Sequence, residues 1–334
     1  MLELGVAALT LLAVIAYAVL GGADFGGGIW DAAAAGPRKL EQRDAIARAM
    51  GPVWEANHVW LIFVIVLLFS SFPSAYSALS VALFLPFHLV LLGIILRGAA
   101  FVFRAYSPES GRSLGPSRQA RRWGALFGAA SVITPFLLGM CLGAVSAGGI
   151  RIAPGRVSLE GLPWLAPVSL AMGAFALAMC AYLAAVFLAY ETAGELREDF
   201  RARALWAGTA VVGLSVLLLP LLAVEARHLW EGLLRPRTLP VIGLGVVAAL
   251  ASGWFLRSRR YRLARFASIL QVACLVAGWG LAQFPYLIYP DLTLHDAAAP
   301  EPMLRFVLFT LPLGLALLLP SLWLLFRVFK GKVV

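Results

Sequence analysis

Apolar runs about as long as a membrane-spanning helix alternate along this chain with short polar connections. The hydrocarbon core of a bilayer requires roughly 20 helical residues to cross it, and nine runs reach about that length. The pattern therefore predicts an all-α polytopic membrane protein with nine transmembrane helices. The predicted segments are 3–22, 53–72, 76–103, 123–146, 163–189, 204–224, 239–256, 266–284 and 303–326.

Positive charge is distributed unevenly between the connections. If connections alternate between two sides, those after segments 1, 3, 5 and 7, together with the C-terminal tail, hold 20 of the 27 Lys and Arg residues. The opposite side holds 5. Cytoplasmic loops carry an excess of Lys and Arg, so we expect the N-terminus outside and the C-terminus in the cytoplasm. The net charge of +10 then reflects orientation and anionic lipid, with no need for a nucleic-acid partner.

Composition agrees with the segment pattern, since 61% of the residues are hydrophobic, 13% are charged and the mean hydropathy is +0.88. The longest connections, 104–122 and 284–302, are too short for a separate folded domain. We therefore predict a single integral membrane domain, 1–334. Segments 1–4 and 5–8 could form two four-helix bundles with the ninth helix added, although the sequence contains no convincing internal repeat.

The most informative polar residues open the second segment, where Trp54, Glu55, Asn57 and His58 precede an otherwise apolar run. Glu55 and His58 are one turn apart, and we expect them to share a helix face. Ionisable groups inside a membrane mainly face a bundle interior or a water-filled path, so this stretch predicts a site that handles protons, ions or substrate. The alternatives are a hydrated helix-start carboxylate for Glu55 and an aromatic-belt role for Trp54.

Two more charged residues are predicted near this site. Asp24 lies in the glycine-rich stretch 21–28, whose glycines permit close helix approach or break the helix. The stretch lacks the strand and Lys-Ser/Thr of a phosphate-binding loop, but a helix end with Asp24 exposed to water is a simple alternative. Arg97, about 10 Å deeper than Arg104, should either snorkel or pair with Asp24 or Glu55.

Few residues are suited to hold a cofactor. Among the four histidines, His228 and His295 fall in outer connections, and His88 is expected to be a buried hydrogen-bonding residue. The three cysteines are isolated within apolar segments, so neither disulfides nor a cysteine metal site are indicated. We therefore expect this chain to bind no haem and no metal.

Four motifs occur in order along the chain: Gly22–Gly28, Gly51–Trp60, Leu96–Arg104 and Phe284–Pro290. Together they resemble subunit II of cytochrome bd-type quinol oxidases, and the resemblance covers essentially the whole sequence. The motif that contains Glu55 and His58 is the most specific of the four. Ala56 and His58 depart from it, because family members often have Gly and Gln or Glu there, and His58 could tune proton affinity or replace a hydrogen-bonding group.

The resemblance implies a complex of the bacterial inner membrane that oxidises quinol and reduces dioxygen to water with protons from the cytoplasm. It implies that haems b and d and the quinol site belong to a larger subunit I, while this chain supports assembly and helps line a proton path without being catalytic alone. A small single-helix subunit, quinone and lipid are further expected partners. Matched to the family, Glu55 is the intramembrane carboxylate, Asp24 the first-helix aspartate and Arg97 the third-helix arginine.

Two other functions stay open from the residues alone. A secondary transporter or ion channel predicts paired discontinuous helices and a site at the membrane midplane. A purely structural subunit predicts charges that only stabilise assembly. The clustering of charged residues at the cytoplasmic ends of segments 1 to 3 favours the oxidase reading over the transporter.

Overall fold

The computed structural model describes residues 1–51, 54–105, 118–153 and 155–330. Within these ranges, nine helices are long and apolar enough to cross a membrane, which confirms the predicted helical membrane protein. Pro52 and Val53 of the second motif, and residues 106–117 of the connection 104–122, lie outside the described residues. The helices are α1 (Leu2–Ala32), α2 (Lys39–Met50), α3 (Trp54–Ser71), α4 (Pro73–Ala82), α5 (Phe84–Ala105), α6 (Arg118–Ala147), α7 (Pro167–Glu191), α8 (Gly194–Glu225), α9 (Arg227–Leu233), α10 (Leu239–Arg257), α11 (Tyr261–Gln283), α12 (Leu294–Ala297) and α13 (Glu301–Lys330).

The predicted third segment, 76–103, is wrong as one continuous helix. It divides at Leu83 into α4 and the membrane-spanning α5, and Leu83 has left the helical region with φ −106° and ψ 24°. Pro86 explains the break, because it has no N–H to donate to the carbonyl of Ala82.

The first connection contains a helix that the apolar pattern did not predict. After α1, which runs unbroken through its glycine-rich stretch, comes α2, which is hydrogen-bonded to the start of α8. Arg38 donates to both carboxylate oxygens of Asp199 at 2.9 and 2.6 Å, and Gln42 Nε2 donates to Asp199 at 3.0 Å. The polar start of α8 is therefore bound in part by Arg38 and α2.

The described residues also form two small antiparallel hairpins, at the opposite end of the helices. One pairs β1 (Ile150–Ala153) with β2 (Arg156–Leu159), and the other pairs β3 (Tyr286–Ile288) with β4 (Leu292–Thr293). Asp291 joins the hairpins by accepting hydrogen bonds from Arg151 at 2.8 and 3.0 Å and from the N–H of Ile152 at 2.9 Å. We call this the hairpin end, and we call the end that carries α2 and Arg104 the basic end.

Helix α1 lies at the centre of the packing. It contacts α3, α6, α7, α11 and α13, while α5 packs on α6, α8 on α7 and α10 on α11. The basic-end half of α1 is therefore covered on several sides, and almost every residue from Gly21 to Gly28 is buried. Polar side chains in this stretch must find their partners inside the protein.

Candidate functional site

Glycines allow neighbouring helices to approach the basic-end half of α1 closely. A Cβ added at Gly26 would overlap the backbone carbonyl of Cys180 on α7, and one added at Gly28 would overlap the side chain of Ser131 on α6. These contacts fix α1 between α6 and α7. They also bury Asp24, which is only 4% exposed.

Asp24 is connected to α3 by a buried hydrogen bond. The amide Nδ2 of Asn57 donates to Asp24 Oδ2 at 2.8 Å, and Asn57 is itself 4% exposed. A hydrogen bond to a charged group is worth about 1.5–3 kcal/mol. The pair therefore both stabilises the carboxylate and fixes the start of α3 beside α1.

Arg97 on α5 is buried with Asp24 and does not snorkel, because the residue is only 2% exposed. Its Nη2 donates to the backbone carbonyl of Asp24 at 2.9 Å, and its Nε donates to Ser131 Oγ at 3.2 Å. The Asp24 carboxylate also interacts electrostatically with the guanidinium. The rings of Phe25 and Phe127 lie 5.1 and 5.3 Å from the guanidinium carbon. Of the two predicted partners, the structure therefore places Asp24 beside Arg97.

His58 completes this buried polar cluster, which consists of Asp24, Asn57, His58, Arg97 and Ser131. Its Nε2 is 3.4 Å from Arg97 Nη1. An arginine can only donate, so the proximity assigns the acceptor role to Nε2 and a proton to Nδ1. The cluster thus joins three membrane-spanning helices that the sequence had implicated, and it adds α6 through Ser131.

A second charged contact lies about two turns closer to the basic end. Asp31, only 1% exposed, accepts two hydrogen bonds from Arg104 at 2.7 and 2.9 Å. Asp24 and Asp31 are seven residues apart on α1, as Arg97 and Arg104 are on α5, so side chains repeat along nearly the same face of each helix. Sequence reasoning missed Asp31 and Ser131, although the shared seven-residue spacing was a signal for Asp31.

Two predicted site residues do not enter the cluster. Trp54 packs beside Gly98, with its ring centroid 5.9 Å from that of Phe101. Glu55 is exposed on the outer face of α3. Three residues turn a helix by about 300°, so Glu55 and His58 lie only about 60° apart around α3. Glu55 is nevertheless exposed, whereas His58 is half-buried and contacts Arg97.

A family model described as cytochrome bd terminal oxidase subunit II matches residues 2–329. The chain belongs to this family. Curated relatives agree: a Bacillus subtilis (strain 168) protein named as a cytochrome bd menaquinol oxidase subunit II is 24% identical over 95% of this chain and 92% of its own length. Cytochrome bd-I ubiquinol oxidase subunit 2 of Escherichia coli K12 is 24% identical over 85% of this chain and 81% of its length.

The fold is also found in a solved bd oxidase. A chain in the structure of bd oxidase from Geobacillus thermodenitrificans matches with a TM-score of 0.81 and 22% identity, covering 99% of both chains. Family membership confirms the resemblance seen in the four motifs. It also favours the oxidase over a transporter, because the relatives are named as subunits of quinol oxidases.

No three His, Cys, Asp or Glu side chains in the described ranges come together to hold a metal. Nε2 of His58 faces the positive charge of Arg97. His88, predicted to be buried, is instead exposed, and its Nδ1 lies 2.7 Å from the carbonyl oxygen of Phe84.

Proposed function

We propose that this chain is the haem-free subunit II of a quinol-oxidising, dioxygen-reducing complex and that it lines a proton path toward a larger, haem-bearing subunit I. The complex takes its electrons from quinol, and haems b and d reside in subunit I. This chain, a single membrane domain over 1–334, supports assembly and is not catalytic alone. A small single-helix subunit, quinone and lipid are further partners in the bacterial inner membrane.

The buried polar cluster carries this proposal. It combines an acid, an amide, an imidazole and an arginine within hydrogen-bond reach of one another below the basic end. Charged groups at such depth are costly and are kept mainly for pairing or for proton and ion transfer. A purely structural pair would need only Asp24 and Arg97, whereas Asn57 and His58 extend the polar contacts onto α3, the helix that also carries Glu55.

The outer face of α3 and α5 is the surface that we assign to subunit I. Two polar side chains, Glu55 on α3 and His88 on α5, are exposed among mostly apolar exposed residues. Exposed to lipid, an ionisable side chain would be costly, but a protein partner could supply hydrogen bonds. Protons that reach Glu55 would then stand at the subunit boundary. The large apolar residues exposed on α3 are Val59, Ile62, Ile65, Val66 and Phe69.

We assign the basic end to the cytoplasm, with the N-terminus outside and the C-terminus inside. The connections that alternate to one side of the membrane hold most of the Lys and Arg residues, and this excess supports the orientation. We further assign α1, α3, α5 and α6 to one four-helix bundle and α7, α8, α10 and α11 to a second one, with α13 added. The packing of α5 on α6 and of α7 on α8 agrees with this division.

Replacing Glu55 in the purified complex tests the proton path. We expect Glu55→Gln to retain its haems while dioxygen reduction by quinol slows by about a hundredfold, the low end for loss of a proton-transfer group. The matched control is Glu231→Gln, since Glu231 is exposed near the hairpin end and pairs only with Arg227 among its described contacts. Parent-like turnover in an assembled Glu55→Gln complex would remove Glu55 from the path.

The location of the haems has its own experiment. The chain is produced with and without subunit I, and the absorption spectrum of each purified product is recorded. We expect a Soret band only after co-production. A stoichiometric Soret band from the isolated chain would contradict the assignment of all haems to the partner.

A further inference from the structure

A narrow cleft reaches the buried polar cluster from the basic end. It lies between α1, α2, α3, α7 and α11, and both Asp24 and Asn57 contribute to its lining. Its volume of about 70 Å³ corresponds to about two water molecules at roughly 30 Å³ each. Its lining includes small side chains, such as Ala23 on α1 and Ala49 on α2, which leave space between the helices.

The lining of the cleft changes from apolar to charged near the basic end. Glu191, the last residue of α7, and Arg265, near the start of α11, both line it. The guanidinium of Arg265 lies 4.8 Å from the ring centroid of Phe187 and 5.1 Å from that of Tyr190. These ring contacts hold the cation beside α7. The cleft thus has a carboxylate and a guanidinium, those of Glu191 and Arg265, at one end. At the other end it has the buried carboxyl group of Asp24 and the amide of Asn57.

Glu55 does not line this cleft. Protons supplied at the basic end could therefore meet Asp24 before they reach the outer face of α3. The second half of the chain, α7 and α11, contributes the charged groups, although the four motifs placed most predicted site residues in the first half. A polar route of this kind needs water to bridge apolar walls, and the cleft volume suits a short file of waters.

We propose that this cleft is the proton entrance of the subunit, with Glu191 collecting protons at its mouth and Arg265 positioning that mouth. The inference rests on the proton-path function proposed above and assigns its entrance. Water in the cleft carries the proton from Glu191 to Asp24. Asn57 then holds Asp24 beside α3, from which the path continues toward the partner.

Covalent blocking of the mouth after assembly tests the entrance without disturbing folding. Cysteine is introduced at Ala49, which lines the cleft, or at Ala47, which is exposed on the same helix and does not line it. The probe is the trimethylammonium-ethyl methanethiosulfonate reagent. The cysteine thiolate attacks the reagent sulfur, a mixed disulfide forms and methanesulfinate leaves. Dithiothreitol, removed before each assay, reverses the reaction, and the parent complex gives the labelling background.

We expect modification of Ala49→Cys to lower dioxygen reduction by about tenfold, less than the about hundredfold loss of a proton-transfer group, because slower routes for water remain. Dithiothreitol should restore the rate, and modified Ala47→Cys should match the parent. In unlabelled complexes, Glu191→Gln should slow turnover more than Glu195→Gln, whose carboxylate is exposed and bound to Arg38. Haem content, unchanged throughout, verifies assembly.

Failure of the entrance is distinguishable from failure of the path. If Asp24→Asn slows turnover but fully modified Ala49→Cys does not, the cleft is overturned as entrance while the path stands. The same conclusion follows if modified Ala47→Cys is slowed equally. If assembled Asp24→Asn and Glu55→Gln both turn over like the parent, the proposed proton path fails and the entrance fails with it.

Discussion

Arg97→Lys is the sharpest test of the buried polar cluster, because it keeps the positive charge and removes the guanidinium geometry. The guanidinium makes three polar contacts, at 2.9 Å to the carbonyl of Asp24, 3.2 Å to Ser131 and 3.4 Å to His58. A lysine has one nitrogen in place of three, so it cannot reproduce the fork of donors that the planar guanidinium directs at these three partners. We therefore expect the two longer contacts to be lost.

The loss can be expressed as a change in melting temperature. Two hydrogen bonds of a charged group, each at the low end of about 1.5 kcal/mol because both are long, amount to about 3 kcal/mol. At about 2.1 cal/mol/K per residue, the 334 residues have an unfolding entropy near 0.7 kcal/mol/K. The melting temperature should then fall by about 4 °C.

Scanning fluorimetry of the purified complex, with haem absorbance recorded in parallel, measures this fall. Arg305→Lys is the matched control, because Arg305 is 70% exposed and pairs with Glu301 at the surface. An exposed ion pair contributes at most about 1 kcal/mol, so the control should melt within about 1–2 °C of the parent. Equal melting temperatures for Arg97→Lys and the parent would refute the assignment of these contacts to stability.

Three further changes test separate parts of the fold. Asp31→Asn should cost about 2 kcal/mol, discounted from the about 3–5 kcal/mol of a fully buried pair, because Arg104 is 24% exposed and Arg43, whose Nε lies 3.9 Å from Asp31 Oδ2, is 23% exposed; exposed Asp44→Asn, measured in the same melting assay, should be neutral. Gly26→Ala should lower the melting temperature by overlap with a backbone carbonyl of α7, whereas Gly213→Ala, with nothing within 4 Å, should not. Hydrogen bonds from its arginine partner hold the pKa of Asp291 below its usual 3.8, so Asp291 stabilises the fold above that pH and the contribution is lost as pH falls through the lowered value. Melting curves across pH should therefore show the difference between the parent and Asp291→Asn shrinking in acid; a difference that grows in acid would contradict this sign.

The sequence alone determined the membrane-spanning architecture. Bilayer thickness sets a minimum apolar length, so nine runs of that length predict nine helices without knowledge of their neighbours. It also indicated where polar chemistry should lie, since Asp24, Asn57, His58 and Arg97 interrupt apolar runs and the structure brings all four together. The cost of isolated polar groups in lipid makes such interruptions informative even in a single chain.

Only the tertiary structure decided which way these side chains face and what they contact. Glu55 is exposed while His58, about 60° away around the same helix, contacts Arg97, and this difference depends on how α3 is packed in the protein. The partner of Arg97 depended on how closely α1 approaches α6, and the contact of α2 with α8 depended on polar pairs distant in sequence. Such contacts join residues of different helices, and local hydrophobic patterning carries no information about which helices become neighbours.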